Sequence, residues 1–465
     1  MGGGLLQLMA LGPQNEFING NPDITFFKKV YKKTTNFGIE QLEQTFVGDK
    51  SFGKRLRCKI ERKGDLLKDL YIVIKLNNGV NNNYNDYHKN IYKLGFSIID
   101  YVEIEIGGQV IDRHYGEWLD IWSQLSYEPY KYEMLMSLIK DRNHSLRYNN
   151  YKNSSNYTGS MDSYIYIPLQ FWFNKDSGNA LPLIALQYHE IILNIKFKEL
   201  NDIKVVDETS ESTYTDLYNK VPKDNDGNSF LDTHSMSLAE TDLKTRKWSI
   251  KSFTGSIEDV TCYGDYIFLD VDERKMFAQK THEYLIEQVQ TIKKLDMPTL
   301  TESNPSKNIQ FSLDFNNPVK EIIWTVSNRV LDGLLFYKNQ DFTPILDNIV
   351  MLVNNIEYMK IKDPDYFNTV LPYKHHTNGG ILSFNKNRYY NGGYYIYSFA
   401  IDPEMYQPNG TLNFSRLNSF ILNFNYNKTD SLFTTMDETY KFTCYAINYN
   451  ILKIQNGMGG LVYNR

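Results

Sequence analysis

Val102-Glu103-Ile104-Glu105-Ile106-Gly107-Gly108 alternates apolar with acidic residues and then stops on two glycines. A period of two places the three apolar side chains on one face of a strand and the two carboxylates on the other, and the glycine pair supplies a tight turn. The segment reads as a half-buried strand opening a hairpin, with Glu103 and Glu105 expected on a solvated face. Working outward, runs of strand length lie at Leu70 to Leu76, Tyr164 to Phe173, Glu190 to Phe197, Tyr266 to Leu269, Ile309 to Phe315 and Val319 to Val326. Further runs follow at Ile349 to Val353, Tyr394 to Ile401, Phe420 to Tyr426 and Tyr440 to Tyr449. Each is bounded by Gly, Asn, Asp or Pro, the residues that punctuate strands. Helical spacing is rare. Trp118, Ile121, Trp122 and Leu125 share one helix face, expected over a sheet edge, and Asp272 to Gln279 opens with the acidic residues that suit a helix N-terminus.

Composition agrees with a β-rich chain. Of 465 residues, 14% are aromatic, nearly all of them Tyr and Phe, which favour pleated surfaces. With 42% hydrophobic and 23% charged residues the chain is neither disordered nor fibrous, and its length suffices for two or three cores. A net charge of −5 argues against a chain that mainly neutralises phosphates, so nucleic acid is not an expected partner. Cys58, Cys262 and Cys444 lie far apart without a CxxC pair and are expected to be buried free thiols of a protein made in a reducing cytoplasm. Leu5, Leu6, Leu8, Met9 and Leu11 precede Pro13 without a basic segment, which is unlike a signal peptide. Nothing approaches the roughly 18 apolar residues that span a bilayer, so a soluble or peripheral chain is expected.

A faint internal repeat carries more information. Leu67-Lys68-Asp69-Leu70-Tyr71-Ile72-Val73-Ile74 is matched by Val319-Lys320-Glu321-Ile322-Ile323-Trp324-Thr325-Val326, and each copy runs on into a strand and turn, Val102 to Gly108 and Val350 to Asn355. Near the end of each copy a turn precedes a strand, as in Leu181 to Phe197 and Asn409 to Phe424. Two copies of one β topology are suggested. Between them Val205 to Lys247 is polar and reads as a long surface insertion.

Catalytic patterns are missing. His189-Glu190 and His282-Glu283 begin like a zincin, but Leu193 and Ile286 stand where the second His belongs, so both read as structural. His375-His376 falls in an expected loop with no nearby Cys. Gly48-Asp49-Lys50-Ser51 lacks the upstream glycine of a P-loop, Glu43 standing there, and no GxSxG occurs. Hence no catalytic residue, cofactor or metal is expected, and the chain is not read as an enzyme. Two basic clusters remain: Lys28, Lys29, Lys32 and Lys33 among Phe26, Phe27 and Tyr31, and Lys54, Arg55, Arg57, Lys59, Arg62 and Lys63. Both are read first as solvated faces, with contact to an anionic surface as the functional alternative. Asn143, Asn153, Asn156, Asn409, Asn413 and Asn427 open Asn-x-Ser/Thr triplets and are the candidate glycosylation sites, although a cytoplasmic chain would not meet the secretory machinery.

The opening Gly2-Gly3-Gly4-Leu5-Leu6-Gln7-Leu8 and the stretch Asn19-Gly20-Asn21-Pro22-Asp23-Ile24-Thr25-Phe26-Phe27-Lys28 resemble the major capsid protein of nucleocytoplasmic large DNA viruses. The likeness continues at Val102 to Gln109, Ala180 to Glu190, Asp265 to Asp270, His282 to Gln288, Gln407 to Thr411 and Asn448 to Leu461, in one order along the chain. This resemblance implies an all-β fold of two tandem eight-stranded jelly rolls with a few short helices and long surface loops. Its expected bounds are an N-terminal arm over 1–26, a first jelly roll over 27–271 carrying the insertion, and a second over 272–465. It further implies a homotrimeric, pseudo-hexagonal capsomer in an icosahedral shell, with minor capsid and penton proteins as partners. Leu5, Leu6, Leu8, Lys28, Lys29, Lys32 and Lys33 would then face the inside of the shell, towards an internal membrane or minor proteins. The competing expectation is a jelly-roll carbohydrate-binding or receptor-attachment protein of the virion.

Overall fold

The computed structural model describes residues 3–10, 12–15, 19–77, 93–140, 163–209, 247–252, 255–300, 306–328, 345–378, 393–427 and 440–463. Residues 1–37 form one unit and residues 38–465 another. In the first half the strands are β1 (Phe37–Thr45), β2 (Arg55–Lys59), β3 (Leu66–Asn77), β4 (Ile99–Ile106), β5 (Gln109–Tyr115), β6 (Ser163–Pro168), β7 (Leu181–Pro182), β8 (Ile191–Phe197), β9 (Lys204–Thr209), β10 (Lys247–Ser252) and β11 (Ser256–Leu269). In the second they are β12 (His282–Asp296), β13 (Ser306–Ser312), β14 (Pro318–Asn328), β15 (Leu346–Val353), β16 (Ile356–Glu357), β17 (Tyr394–Ser398), β18 (Leu412–Asn413), β19 (Phe420–Asn427), β20 (Tyr440–Gln455) and β21 (Met458–Leu461).

One sheet of the first half runs β1-β11-β3-β6 and the other β2-β8-β4-β5; the second half repeats this as β12-β20-β14-β17 and β13-β19-β15-β16. Counted over the eight principal strands of each half, both orders are 1-8-3-6 and 2-7-4-5, the arrangement of a jelly roll. The faint sequence repeat falls on the third strands, β3 and β14. The likeness extends to detail: β7 pairs the start of β3 through Leu67↔Leu181, and β18 pairs the start of β14 through Val319↔Leu412. Each short strand leads directly into a single 3-10 turn, 183–185 and 414–416.

The opening hairpin forms as expected. Ile106 pairs with Gln109 across a two-residue turn in which Gly107 and Gly108 have φ of 58° and 85°, a left-handed pair that side chains disfavour. Val102, Ile104 and Ile106 are buried, but so is Glu103, contrary to the solvated face expected of it. Its carboxylate accepts from Arg55 at 2.8 Å, Arg113 at 2.7 Å and Asn194 at 3.2 Å, so neighbouring strands neutralise it where water was expected.

Other expectations shift at their edges. The run Tyr164 to Phe173 stops being strand at Pro168, which has no N–H to donate to a ladder, and Trp172–Lys175 turns helical. Tyr266 to Leu269 is only the end of a 14-residue strand. The polar insertion is framed by a ladder: β9 pairs β10 from Lys204↔Ser252 to Thr209↔Lys247, drawing on the β-formers Val205, Val206, Trp248 and Ile250. Residues 210–246 lie outside the described residues.

The described residues also form the helices α1 (Gly3–Met9), α2 (Leu94–Ser97), α3 (Gly116–Ser126), α4 (Pro129–Leu138), α5 (Trp172–Lys175), α6 (Val271–Gln279) and α7 (Leu371–His375). Asp270 caps α6 by accepting from the Val271 N–H at 2.8 Å, ahead of Asp272 and Glu273 in the first turn. The two sandwiches carry separate apolar cores, and each core borrows from the other half of the chain. Ile286, Leu452 and Ile454 belong to the first core; Trp118, Ile121, Trp122 and Leu125 belong to the second.

Candidate functional site

Among the described residues no group of three His, Cys, Asp or Glu side chains could hold a metal ion, and the feature with functional weight is the junction that binds the two sandwiches. Helix α3 is its centre. Its 3.6-residue period turns Trp118, Ile121, Trp122 and Leu125 one way and Leu119 another. The first group is buried in the second core and Leu119 in the first, so the helix is a shared wall rather than the cover of a sheet edge that was expected. At its start, a Cβ on Gly116 would lie 2.1 Å from the Phe96 carbonyl oxygen, so only glycine lets the helix sit this close to α2. Trp118 packs on Tyr445 of β20 with ring centroids 5.3 Å apart. The Tyr445 hydroxyl donates to Glu117 at 2.9 Å, and the Thr325 hydroxyl donates to the same carboxylate at 3.3 Å.

The first half meets the second in four further places, three of them through a charged group. Asp112 accepts from the Val289 N–H at 3.0 Å and lies 2.8 Å from His114 Nε2. Asp100 lies between Lys196 at 3.1 Å and Lys293 at 2.8 Å; burial pushes its carboxyl up, but the two ammonium groups outweigh this and hold it below the usual range. Glu287 lies between Lys175, 2.6 Å away, and the buried Lys320; burial again opposes ionisation and the paired lysines prevail, lowering the carboxyl. Gln288 donates to the Ile111 carbonyl. A buried charge that loses its partner is strongly destabilising, so these pairs fix the register of one sandwich against the other more than they add net stability.

Beside α3, His376 is buried with Glu321 at 2.8 Å on Nε2 and Glu404 at 2.8 Å on Nδ1. Burial acts to lower the imidazole, but the two carboxylates dominate and push it up to about 9. Its ring meets Trp122 edge-on at 6.0 Å. The expected loop at His375-His376 is therefore the end of α7, and His376 is a structural cation.

Turns close the far side. The Tyr188 N–H donates to the Gly457 carbonyl at 2.9 Å, His189 Nδ1 lies 2.9 Å from the Gly459 carbonyl, and the Leu461 N–H donates to Gln109 at 3.2 Å. Thus Val102 to Gln109, Ala180 to Glu190, His282 to Gln288 and Asn448 to Leu461, scattered in sequence, converge on one junction.

The other singled-out residues divide. Lys59 pairs with Glu190 and Lys63 with Glu61 on the surface, Arg62 donates to the His189 carbonyl, and Arg55 reaches the buried Glu103, so these four members of the second basic cluster have partners within the chain. His282 Nε2 lies 2.7 Å from the Phe277 carbonyl, beside α6. Within the N-terminal unit, Leu5, Leu6 and Leu8 on α1 and Lys28, Lys29, Lys32 and Lys33 are all exposed, with Phe26 and Phe27 above 90%. Asn143, Asn153 and Asn156 lie outside the described residues. Asn409 uses both ends of its amide on Asp402, and Asn413 caps the turn at Ser415. The bridging roles of Glu117, Asp112 and Glu287, and the clamp of two carboxylates on His376, were not read from the sequence. The signal available was Lys320-Glu321, two charges inside an otherwise apolar strand.

Comparison with known proteins accounts for this architecture. Residues 25–270 match the family described as major capsid protein N-terminus, and residues 273–460 match large eukaryotic DNA virus major capsid protein. The major capsid protein of Pyramimonas orientalis virus is 34% identical over 482 aligned residues, and that of Paramecium bursaria Chlorella virus 1 is 32% identical over 509, each pair covering 100% of both chains. The crystal structure of PBCV-1 VP54 superposes with a TM-score of 0.67 at 28% identity, covering 95% of this chain and 100% of that one. The chain belongs to the family of major capsid proteins of large eukaryotic DNA viruses.

Proposed function

We propose that three copies of this chain close into a ring, and that the rings tile an icosahedral virion shell as pseudo-hexagonal capsomers. The observation that carries this reading is the duplicated sandwich with a buried junction. Two like lobes per chain give a threefold ring six near-equivalent edges, so a hexagonal lattice is tiled by a unit of lower symmetry. A loose tether between the lobes would let them reorient and spoil the tile. The chemistry is association: obligate interfaces commonly bury more than about 2,000 Å² and draw their free energy from apolar surface and shape fit.

The arm over 1–26, the first jelly roll over 27–271 and the second over 272–465 divide this work. The exposed Leu5, Leu6 and Leu8, with Lys28, Lys29, Lys32 and Lys33, suit the arm to an anionic surface beneath the shell, either an internal membrane or minor capsid proteins. Penton proteins complete the fivefold positions, and synthesis takes place in the host cytoplasm. Native mass spectrometry of the full chain tests the central claim. One species of three chain masses, seen as a six-lobed outline by electron microscopy, is the expected result, and monomers or dimers at micromolar concentration would overturn it.

A further inference from the structure

The junction seals the outer face of one sheet of the second sandwich. On β20, Phe442 stacks on Phe311 of the facing sheet, so strand alternation turns Thr443 and Tyr445 outward. Ile323 of β14 lies opposite Tyr445, and Thr325 lies between Thr443 and Tyr394 of β17. All five are buried, because α3 covers them: Trp118 packs on Tyr445, and Glu117 accepts from the hydroxyls of Tyr445 and Thr325. The first sandwich presents the same face in the same register. Tyr71 pairs with Tyr263 as Ile323 pairs with Tyr445, and Val73 lies between Thr261 and Tyr166 as Thr325 lies between Thr443 and Tyr394. Even the buried Cys262 and Cys444 hold like places, opposite Ile72 and Trp324. Here, however, the described residues leave the face open. Tyr166 is 40% exposed, Tyr71, Thr261 and Tyr263 are half-buried, and Tyr71 stacks on Tyr263 with centroids 5.3 Å apart.

The covering helix is repeated too. α3 follows the hairpin of β4 and β5; the π-helical turn Tyr366–Val370, which runs directly into α7, follows that of β15 and β16. Leu119 roots the first helix in the first core, and Phe367 roots the second in the second core. Around Leu119, the covering side of α3 carries Trp118, Ile121, Trp122 and Leu125; around Phe367, Tyr366, Thr369, Val370 and Tyr373 stand at the same spacing. In place of burial, Thr369 is exposed, Val370 is 47% exposed and Tyr373 is 83% exposed. The exposed Lys374 follows this stripe, while Glu43, Asp69 and Asp265 stand on the strands around the open tyrosines, with Glu43 accepting from the Tyr263 hydroxyl at 3.0 Å.

We propose that the stripe Thr369, Val370 and Tyr373 of one copy docks on the outer face at Tyr71, Tyr166 and Tyr263 of the next copy, repeating between chains the contact that α3 makes within one. This rests on the threefold ring proposed above and names the surfaces that close it. The contact is head-to-tail, so each chain offers its helix to one neighbour and its open face to the other. Contacts within and between chains then alternate, and three copies close on six like contacts. Aromatic side chains at the centre and opposite charges at the edge are the chemistry of a specific protein interface.

The full chain carrying Tyr373→p-benzoylphenylalanine, irradiated at native concentration, tests the contact. The expected product has two chain masses, and peptide mapping joins position 373 to the neighbour within 69–75, 164–168 or 259–265. Y373E, which changes a side chain on the surface of its own chain, should keep the native circular dichroism and raise the concentration at which trimers half-dissociate by about tenfold or more. Native mass spectrometry of the unmodified chain separates the two claims. Monomers there would sink the ring and this contact with it; trimers whose cross-links fall elsewhere, or that persist undiminished in Y373E, would overturn the contact alone.

Discussion

Trp118, on helix α3 of the first half, packs at 5.3 Å between centroids against Tyr445, on the last long strand of the second. The indole belongs to one sandwich by chain order and to the other by burial. W118A removes a side chain only 2% exposed and should lower stability by about 3–5 kcal/mol in urea denaturation. Y130A, at 84% exposure on α4, should stay within about 0.5 kcal/mol. Equal effects would mean that α3 does not couple the cores.

The buried His376 predicts an alkaline weakness. Its folded pKa of about 9 lies above the unfolded value near 6.5, so its contribution is complete below pH ~6.5 and is lost as pH rises through about 9. The loss is on the order of 3 kcal/mol at full deprotonation. Urea midpoints across this range should fall for the native chain, and H376Q should flatten that part of the profile.

The glycines at the first hairpin are not equivalent. A Cβ on Gly107 would lie 2.3 Å from His189 Nδ1, whereas at Gly108 it would meet open space. Both have positive φ, so G108A should cost about 1 kcal/mol and G107A at least about 2, because His189 must also leave Gly459. Thermal denaturation of the pair compares them directly.

Glu103 is 1% exposed beneath Arg55 and Arg113, which are themselves about half exposed. Because solvent screens the two guanidinium groups once the carboxylate is gone, E103A should lose about 2 kcal/mol rather than the full penalty of a buried unpaired ion. E105A, on the more open neighbour, should lose under about 1 kcal/mol in the same denaturation series.

Deleting residues 1 to 25 should leave trimers intact by native mass spectrometry while impairing shell assembly. Shells that form as readily without the arm would refute its assignment to the inner face.

The positions of β4, β14, β19 and α3 were legible because a strand or helix exposes one face at a fixed period, and that period is written in a few consecutive residues. β12 was not expected as a strand because it is mostly polar: its Gln288 and Gln290 are buried on carbonyl partners supplied by Ile111 and Asn316. Glu103 misled for a related reason. Alternation marks which face a side chain takes, while the arginines that neutralise it come from β2 and the next strand of the hairpin.

What the chain determined by itself, then, was the all-β class, the doubling of one topology and the helical stripe over 118–125, all of them consequences of local periodicity and of likeness between segments. Tertiary structure alone decided that this stripe serves the other sandwich, that Asp112, Glu117 and Glu287 bridge the halves, and that His376 is clamped between two carboxylates. The reason is physical: a burial partner is chosen by chain closure across hundreds of residues, and neither shape complementarity nor the pairing of a desolvated charge leaves a periodic mark on the sequence around it.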